Sequence, residues 1–371
     1  MIARLLLLAL GLLYVKAQQQ NTCELIEWTG GHYVWPNEAT KNIYRSSGRY
    51  ISRNVIATRA QVYRDEVYLA LPRYKAGVPA TLARVSLRQR GCEADLEPYP
   101  CWAAQEEGDS SSFQSVVDIY LDENQILWVL DTGVVNSLEA PVRKAAPKVV
   151  GINILTQKKV KTLDLCGLVV PASRLQYVVS EYAPDGRPFV YVSDAATRSI
   201  LVFDVAGNKG YRVVLPNAVA GSRRDVLYIA LIRKPVNNFL LITYLSGARF
   251  FQIKTDFLRA GCAAGKIQDI GAKGAKLVIL GTDNGSALFF RYEGRPEVYR
   301  WEVGTILKSA ELVYKSPENY LTTQAFPDVS RRRVRVLESN FHDFLKNTVG
   351  CGASQRVSLM ISNVPQPSAV C

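Results

Sequence analysis

Few residue types in this 371-residue chain can do chemistry, and their spacing excludes most of the familiar kinds. Only two histidines are present, His32 and His342. No GxSxG elbow, phosphate-binding glycine loop or HExxH helix occurs. No CxxC pair or His/Cys cluster has metal-ligand spacing, so neither a metal nor another cofactor is expected. His342 is followed by Asp343, and neighbours on a strand point to opposite faces. A surface histidine is therefore expected there, not a base held by its orienter.

A more informative set sits where apolar runs end. Asp131, Asp194, Asp283 and Asn340 each close such a run, and Tyr244 closes another. If these runs line one channel, the four polar residues converge near one mouth. Carboxylates beside an aromatic ring then hold a cationic amine by charge pairing and ring contact. The competing expectation is local: Asp and Asn at strand ends ordinarily bond to nearby backbone in turns. Asn284-Gly285-Ser286 is the single N-glycosylation sequon and follows Asp283 directly. A glycan on Asn284 would obstruct that mouth, so glycosylation and amine binding compete there.

The elements that must position these residues are short β-rich runs between Gly, Pro, Asn and Asp turns, with almost no helical periodicity. Six runs are similar, beginning at Val67, Leu127, Phe189, Leu240, Leu277 and Val334. They end at Pro72, Asp131, Asp194, Tyr244, Asp283 and Asn340, 39–63 residues apart. Partner strands follow several of them across short polar turns, as at 199–204, 249–253 and 287–292. One such unit cannot bury both faces of its sheet; six stacked around a ring can. The expected fold is all-β, a six-bladed β-propeller with blades spanning roughly residues 45–350. Two packed β-sandwiches are the rival, and they leave six similar units unexplained.

The first 17 residues read as a cleavable leader: Arg4 precedes an apolar run from Leu5 to Leu13, too short to span a bilayer, and Ala17 offers a small residue at the cleavage point. Residues 18–371 then form one domain, secreted and without a transmembrane segment. The net charge of +12 suits acidic extracellular matrix or other acidic partners, or simply a soluble surface. No nucleic-acid motif is present. Seven cysteines in an oxidising compartment leave at least one unpaired. Cys92 and Cys101 flank a Pro-rich turn and are the expected local bridge. Cys166 reads as a buried free thiol, and a pair drawn from Cys23, Cys351 and Cys371 is an option at the chain ends.

Several blocks resemble the insect yellow / major royal jelly family. They are Pro72-Arg73-Tyr74-Lys75-Ala76-Gly77-Val78-Pro79, Pro98-Tyr99-Pro100-Cys101-Trp102, Leu127-Trp128-Val129-Leu130-Asp131-Thr132-Gly133 and Glu338-Ser339-Asn340-Phe341. Weaker blocks lie between them in the right order, and together they cover about residues 62–345. The resemblance implies a six-bladed propeller and, in some members, biogenic amines held in the central channel. It carries Asn340 and, upstream, Thr323 as ligand contacts. The chain looks closest to the yellow-g subgroup, associated with eggshell. A role in eggshell or cuticle formation, pigmentation or hardening is implied, through a small catechol or amine ligand. The alternatives are a dopachrome-converting enzyme of melanin synthesis and an amine scavenger. One departure stands out. Asn124-Gln125 and Ala145-Ala146 occupy places where the family commonly has cysteines, which reads as loss of a whole disulfide and of about 2–4 kcal/mol with it.

Overall fold

The computed structural model describes residues 24–89, 93–222 and 224–363, with side chains as far as residue 360. The leader expected at 1–17 lies outside these residues, as do Cys23, Cys92 and Cys371. The described chain begins with strand β1 (Ile26–Thr29) and helix α1 (Glu38–Ser46). A first blade follows, with strands β2 (Arg59–Tyr63), β3 (Glu66–Ala70), β4 (Leu82–Ser86) and β5 (Glu97–Pro98). The second holds β6 (Val116–Leu121), β7 (Ile126–Asp131), β10 (Lys148–Asn153) and β11 (Lys158–Asp164), with a small ribbon of β8 (Val134–Val135) and β9 (Val142–Arg143) inserted.

The third blade is β12 (Leu175–Tyr182), β13 (Pro188–Asp194), β14 (Ser199–Asp204) and β15 (Lys209–Val214). The fourth is β16 (Leu227–Arg233), β17 (Asn238–Tyr244), β18 (Arg249–Lys254) and β19 (Gln268–Ala272), with helix α2 (Thr255–Arg259) before its last strand. The fifth is β20 (Leu277–Thr282), β21 (Ala287–Tyr292), β22 (Glu297–Glu302) and β23 (Glu311–Lys315). The sixth joins β24 (Leu321–Asp328), β25 (Arg333–Ser339) and β26 (Ser354–Asn363) to β1, with helix α3 (Phe341–Leu345) after β25. The architecture is the expected six-bladed propeller. Its ring draws on segments before residue 45 and after residue 350.

Ring closure rests on one short pairing. β1 lies antiparallel on β26, with Ile26 opposite Val357 and Trp28 opposite Gln355. Both Ile26 and Val357 are wholly buried, in a cluster that also contains Val67 and Phe326. The first and last segments of the described chain therefore complete one sheet and one core.

The innermost strands of successive blades, β2, β6, β12, β16, β20 and β24, pack side by side around the axis. The apolar runs read from sequence are not these strands, except at 277–282. Five of the six are second strands, between an innermost strand and a third. The reason is burial. A second strand has a neighbour on both edges and a blade on both faces; every side chain from Phe189 to Asp194 is buried. Innermost strands border the channel and are interrupted by polar residues: Arg59 and Gln61, Asp118, Gln176 and Ser180, and Thr322, Thr323 and Gln324. Hydrophobic continuity marks the better-packed strand, not the inner one.

One cysteine expectation needs correction, and one lies partly outside the described residues. Cys166 is exposed, at a short turn after β11, not buried. Cys101 is an exposed free thiol, and Cys92, the partner expected for it, lies outside the described residues. The missing family disulfide also reads differently. β7 pairs with β10 so that Ile126 faces Asn153 and Asp131 faces Lys148. Gln125 and Ala146 thus sit beyond opposite ends of the ladder, separated by about 3.3 Å per residue over its whole length. A disulfide spans at most about 7 Å between Cα atoms, so in this fold these places are too far apart to bridge each other.

Closure by β1 predicts an uneven cost of substitution. Ile26→Ala should lower stability by about 2–5 kcal/mol in chemical denaturation, since it empties a buried site in the closing sheet. Lys158→Ala, on the exposed outer strand β11, should change it by less than about 0.5 kcal/mol. Equal effects would mean that the N-terminal strand does not close the ring.

Candidate ligand site at the channel mouth

An innermost strand pairs with a neighbour along one edge only, so its channel-facing N–H and C=O groups need other partners. Side chains from the preceding blade supply many of them. The Ala60 N–H donates to Gln324 Oε1 at 2.6 Å and the Val116 N–H to Thr81 Oγ1 at 2.8 Å. The Val178 N–H donates to Asp118 Oδ2 at 2.7 Å and the Leu227 N–H to Gln176 Oε1 at 2.8 Å. Carbonyls are met from both neighbouring blades: Arg59 Nη1 of the first blade donates to the Thr323 carbonyl at 2.9 Å and Arg291 Nε of the fifth to that of Thr322 at 2.8 Å. Of the four side chains that accept from these amides, only Asp118 is ionisable.

Asp118 and Arg59 form the polar centre of this ring of latches. Arg59 Nε lies 3.4 Å from Asp118 Oδ1, and their side chains keep only 14% and 7% of their surface exposed. Burial pushes the Asp118 carboxyl up to about 7, against the opposing pull of Arg59 and of the backbone amides of Val178 and Ile119. The Arg59 guanidinium lies 4.8 Å from the centre of the Tyr177 ring, a cation–π contact. Tyr177 in turn meets Tyr228 at 5.3 Å between ring centres. Burial pushes the Tyr177 hydroxyl up to about 12, so it stays protonated and able to donate.

Backbone irregularity presents these groups. The β12–β13 ladder slips between Leu175 and Val178, the β6–β7 ladder between Val116 and Asp118, and the β24–β25 ladder between Thr322 and Gln324. Tyr177 and Thr323 are thus extra residues in bulges, a device that re-aims side chains beside functional cavities. Loops from the same face of the ring close over them. The 71–81 loop follows β3, whose last residue Ala70 faces Arg59. Within it, Arg73 is buried, and all five of its N–H donors reach backbone carbonyls, of Val78, Phe113, Gln114, Pro79 and Gln105. Lys75 donates to the Phe344 carbonyl at 2.7 Å and lies 3.8 Å from the centre of its ring. These anchors hold Tyr74 between them, 6.3 Å from Phe341 of α3. The Pro-Arg-Tyr-Lys block is a clamp joining the first blade to the sixth.

The residues singled out in the sequence fall into three groups. Thr323 and Asn340 lie on this face: Thr323 in its bulge with its hydroxyl on the Leu337 carbonyl, Asn340 at the cap of α3 accepting from the Ser354 N–H at 3.0 Å. Asp131, Asp194 and Tyr244 end second strands on the same face, opposite Val116, Leu175 and Leu227. Both aspartates are wholly buried and engaged locally. Asp131 accepts from the N–H groups of Gln114, Ser115 and Gly133; Asp194 from those of Arg174 and Ala196 and from the Thr197 hydroxyl. Tyr244 donates to the Ala195 carbonyl at 2.7 Å.

Asp283 belongs to the opposite face, since it follows an innermost strand while the others flank the starts of such strands. It accepts from Gly285 and Ala287 and lies 3.4 Å from Arg300. The sequon residue Asn284 is exposed there, accepting from Arg233 at 2.5 Å. A glycan on Asn284 and a ligand beside Thr323 therefore occupy different mouths and do not compete. His342 is exposed, as a surface histidine should be, but its segment is helical and not a strand, so Nε2 comes within 3.3 Å of the half-buried Asp343. With Tyr320 and Leu321 it lines a cleft of about 820 Å³ near the start of β24. Asp118, Arg59, Tyr177 and Tyr228 were missed in the sequence. Their signal was a charged or aromatic residue interrupting a short β-run.

A family model described as major royal jelly protein matches residues 114–364, which include Asp118, Tyr177, Tyr228 and Thr323 but neither Arg59 nor Tyr74. The protein yellow of Drosophila melanogaster is 25% identical over 195 residues, 51% of this chain and 36% of that protein. The protein yellow of Drosophila erecta is 32% identical over 114 residues, 30% of this chain and 21% of its own length. The matched segments thus span about a third or less of these relatives. A catalytically inactive virginiamycin B lyase from Staphylococcus aureus aligns with a TM-score of 0.45 at 12% identity, over 91% of this chain and 99% of its own. With more than half of its length matched by the family model, and with six four-stranded blades in a ring, this chain belongs to the major royal jelly protein family.

Proposed function

We propose that the protein is a secreted family member that binds a small catechol or aromatic amine at the channel mouth, in the service of eggshell or cuticle formation. The single observation that carries the ligand reading is the buried Asp118 carboxylate beside the Tyr177–Tyr228 ring pair. A protonated amine fits the carboxylate, and its ring fits the aromatic wall. Among the described residues no helix is long and apolar enough to cross a membrane. The tissue role and secretion rest on the family resemblance; yellow-g is the subgroup it favours. Acidic matrix components are the expected macromolecular partners of so basic a chain.

A second reading, dopachrome conversion, is favoured by the same residue. A carboxyl near 7 is matched to proton transfer at neutral pH, and the Tyr177 hydroxyl and Arg59 are donors for a developing oxyanion. Amine scavenging uses the site without turnover.

Calorimetry with tyramine separates these readings from an inert channel. Saturable binding is expected, weakened about tenfold by Asp118→Asn, whose amide oxygen can still accept from the Val178 N–H. Affinity should rise between pH 6 and 8 as Asp118 ionises. Saturable heat that ignores both pH and Asp118 would place the amine elsewhere. Dopachrome decay above that of the Asp118→Asn variant supports turnover; equal decay removes it.

The same group predicts a pH dependence of stability. Its native pKa, about 7, lies above the usual carboxyl value of 3.8, so between these pH values the folded chain holds more protons than the unfolded one. Asp118 therefore favours folding below about pH 4, and that contribution is lost as pH rises to 7. Thermal melts should show the wild type losing stability relative to Asp118→Asn across that window.

A further inference from the structure

We propose that a second cleft, between the third and fourth blades on the channel-mouth face, binds the tetrahedral oxyanion of a small phosphate or sulfate ester. The cleft has a volume of about 420 Å³ and is lined by Arg174, Arg198, Arg224 and Tyr244 together with small residues around Ala196 and Gly221. Among the described residues no acidic side chain lines it. Among the described residues, no carboxylate lies within ion-pair distance of any of the three guanidinium groups.

Two of those groups are held in place by backbone and keep donors free. Arg174 gives Nη2 to the Asp225 carbonyl at 3.3 Å, and Arg198 gives Nε to that of Leu215 at 3.0 Å. Each anchor uses one of five N–H donors, leaving the rest of the planar fork for a ligand. Arg224 is exposed, with a backbone φ of +64°, and its side chain makes no hydrogen bond among the described residues. The carboxylates behind the cleft are already engaged. Asp194 is surrounded by amides and the Thr197 hydroxyl, and Asp225 accepts from the N–H groups of Ser222, Val226 and Ser246 and from the Ser246 hydroxyl. Lys273 adds a further positive charge nearby, donating to the Tyr244 carbonyl at 2.5 Å.

The cleft is therefore lined by three arginines, while the carboxylates behind it, Asp194 and Asp225, are engaged by amides and hydroxyls. Such an arrangement repels an ammonium and fits bidentate recognition of phosphate or sulfate oxygens. The concave shape favours a small ester over a long polymer laid across a flat basic stripe. Tyr244 supplies an aromatic wall for the organic part. The ligand class is thus opposite in charge to the amine proposed for the channel, and the two sites are independent.

Titrating the full-length secreted protein with inorganic phosphate, inorganic sulfate and phenyl phosphate tests this directly. Saturable binding is expected, falling with added salt, as surface ion pairing requires. Arg198→Gln with Arg224→Gln should weaken it by at least about tenfold, with thermal melting confirming that the fold is retained. Arg224→Gln alone, on an exposed side chain, should weaken it measurably and serves if the double variant is unstable. A control replacing Lys158, Lys159 and Lys161 by Gln, on the basic outer strand β11, should leave binding unchanged. Tighter binding of phenyl phosphate than of the inorganic anions identifies an ester as the ligand; equal binding identifies a free oxyanion. Absence of saturable binding at about 10 mM, or equal weakening by the β11 control, would overturn the proposal.

Discussion

The inner edge of the propeller is the constraint on which the rest of the structure depends. Stacking six sheets in a ring buries their faces but leaves one backbone edge of every innermost strand turned toward the axis. Those N–H and C=O groups are obligatory donors and acceptors. The chain answers with side chains reaching across blade boundaries: Gln324 to β2, Thr81 to β6, Asp118 to β12 and Gln176 to β16. Arg59 and Arg291 do the same for the carbonyls of β24. Each latch joins two blades, so polar residues at the centre serve cohesion before they serve any ligand.

This origin sets the character of the site proposed at the mouth. Amide and hydroxyl latches are neutral and complete. Asp118 is the exception, because a carboxylate brings a charge into a place where burial opposes it. Arg59 offsets part of that charge at 3.4 Å, yet the carboxyl still titrates near neutrality. A buried group poised there is more consistent with function than with cohesion alone, since Asn at the same place would accept from the Val178 N–H without the charge. The bulges that free Tyr177 and Thr323 from their ladders point the same way: regular pairing would leave them in register with the second strands.

Legibility of the sequence followed burial. The number of blades was readable because second strands are mostly buried and are followed by polar turns. Leu127–Asp131 and Phe189–Asp194 are examples, and every residue in both is buried. Position relative to the axis was not readable, because a period-two pattern reports burial of faces and not which edge is paired. Reading the strongest runs as innermost moved attention to Asp131 and Asp194, whose carboxylates hold local turns. It placed Asp283 with them, although an innermost strand that ends there puts it on the opposite face. The family resemblance added Thr323, which lies on the same face as Asp131 and Asp194, and pointed again to Asn340, already read as a run end. Asp118 went unnoticed because a lone charge in Val-Val-Asp-Ile-Tyr-Leu looks like an interruption.

The same geometry separates two kinds of charge on one face of the ring. At the axis, a carboxylate and aromatic rings are hidden beneath loops clamped by Arg73, whose guanidinium reaches five backbone carbonyls and no carboxylate. Away from the axis, between the third and fourth blades, guanidinium groups stand open while Asp194 and Asp225 turn inward to amides. At the axis the Arg59 guanidinium lies beside the Asp118 carboxyl, whereas the arginines of the rim cleft have no carboxylate within ion-pair distance among the described residues. Charge sorting of this kind needs no moving part. It follows from which backbone amides each blade leaves unpaired and which carboxylates are drawn inward to meet them.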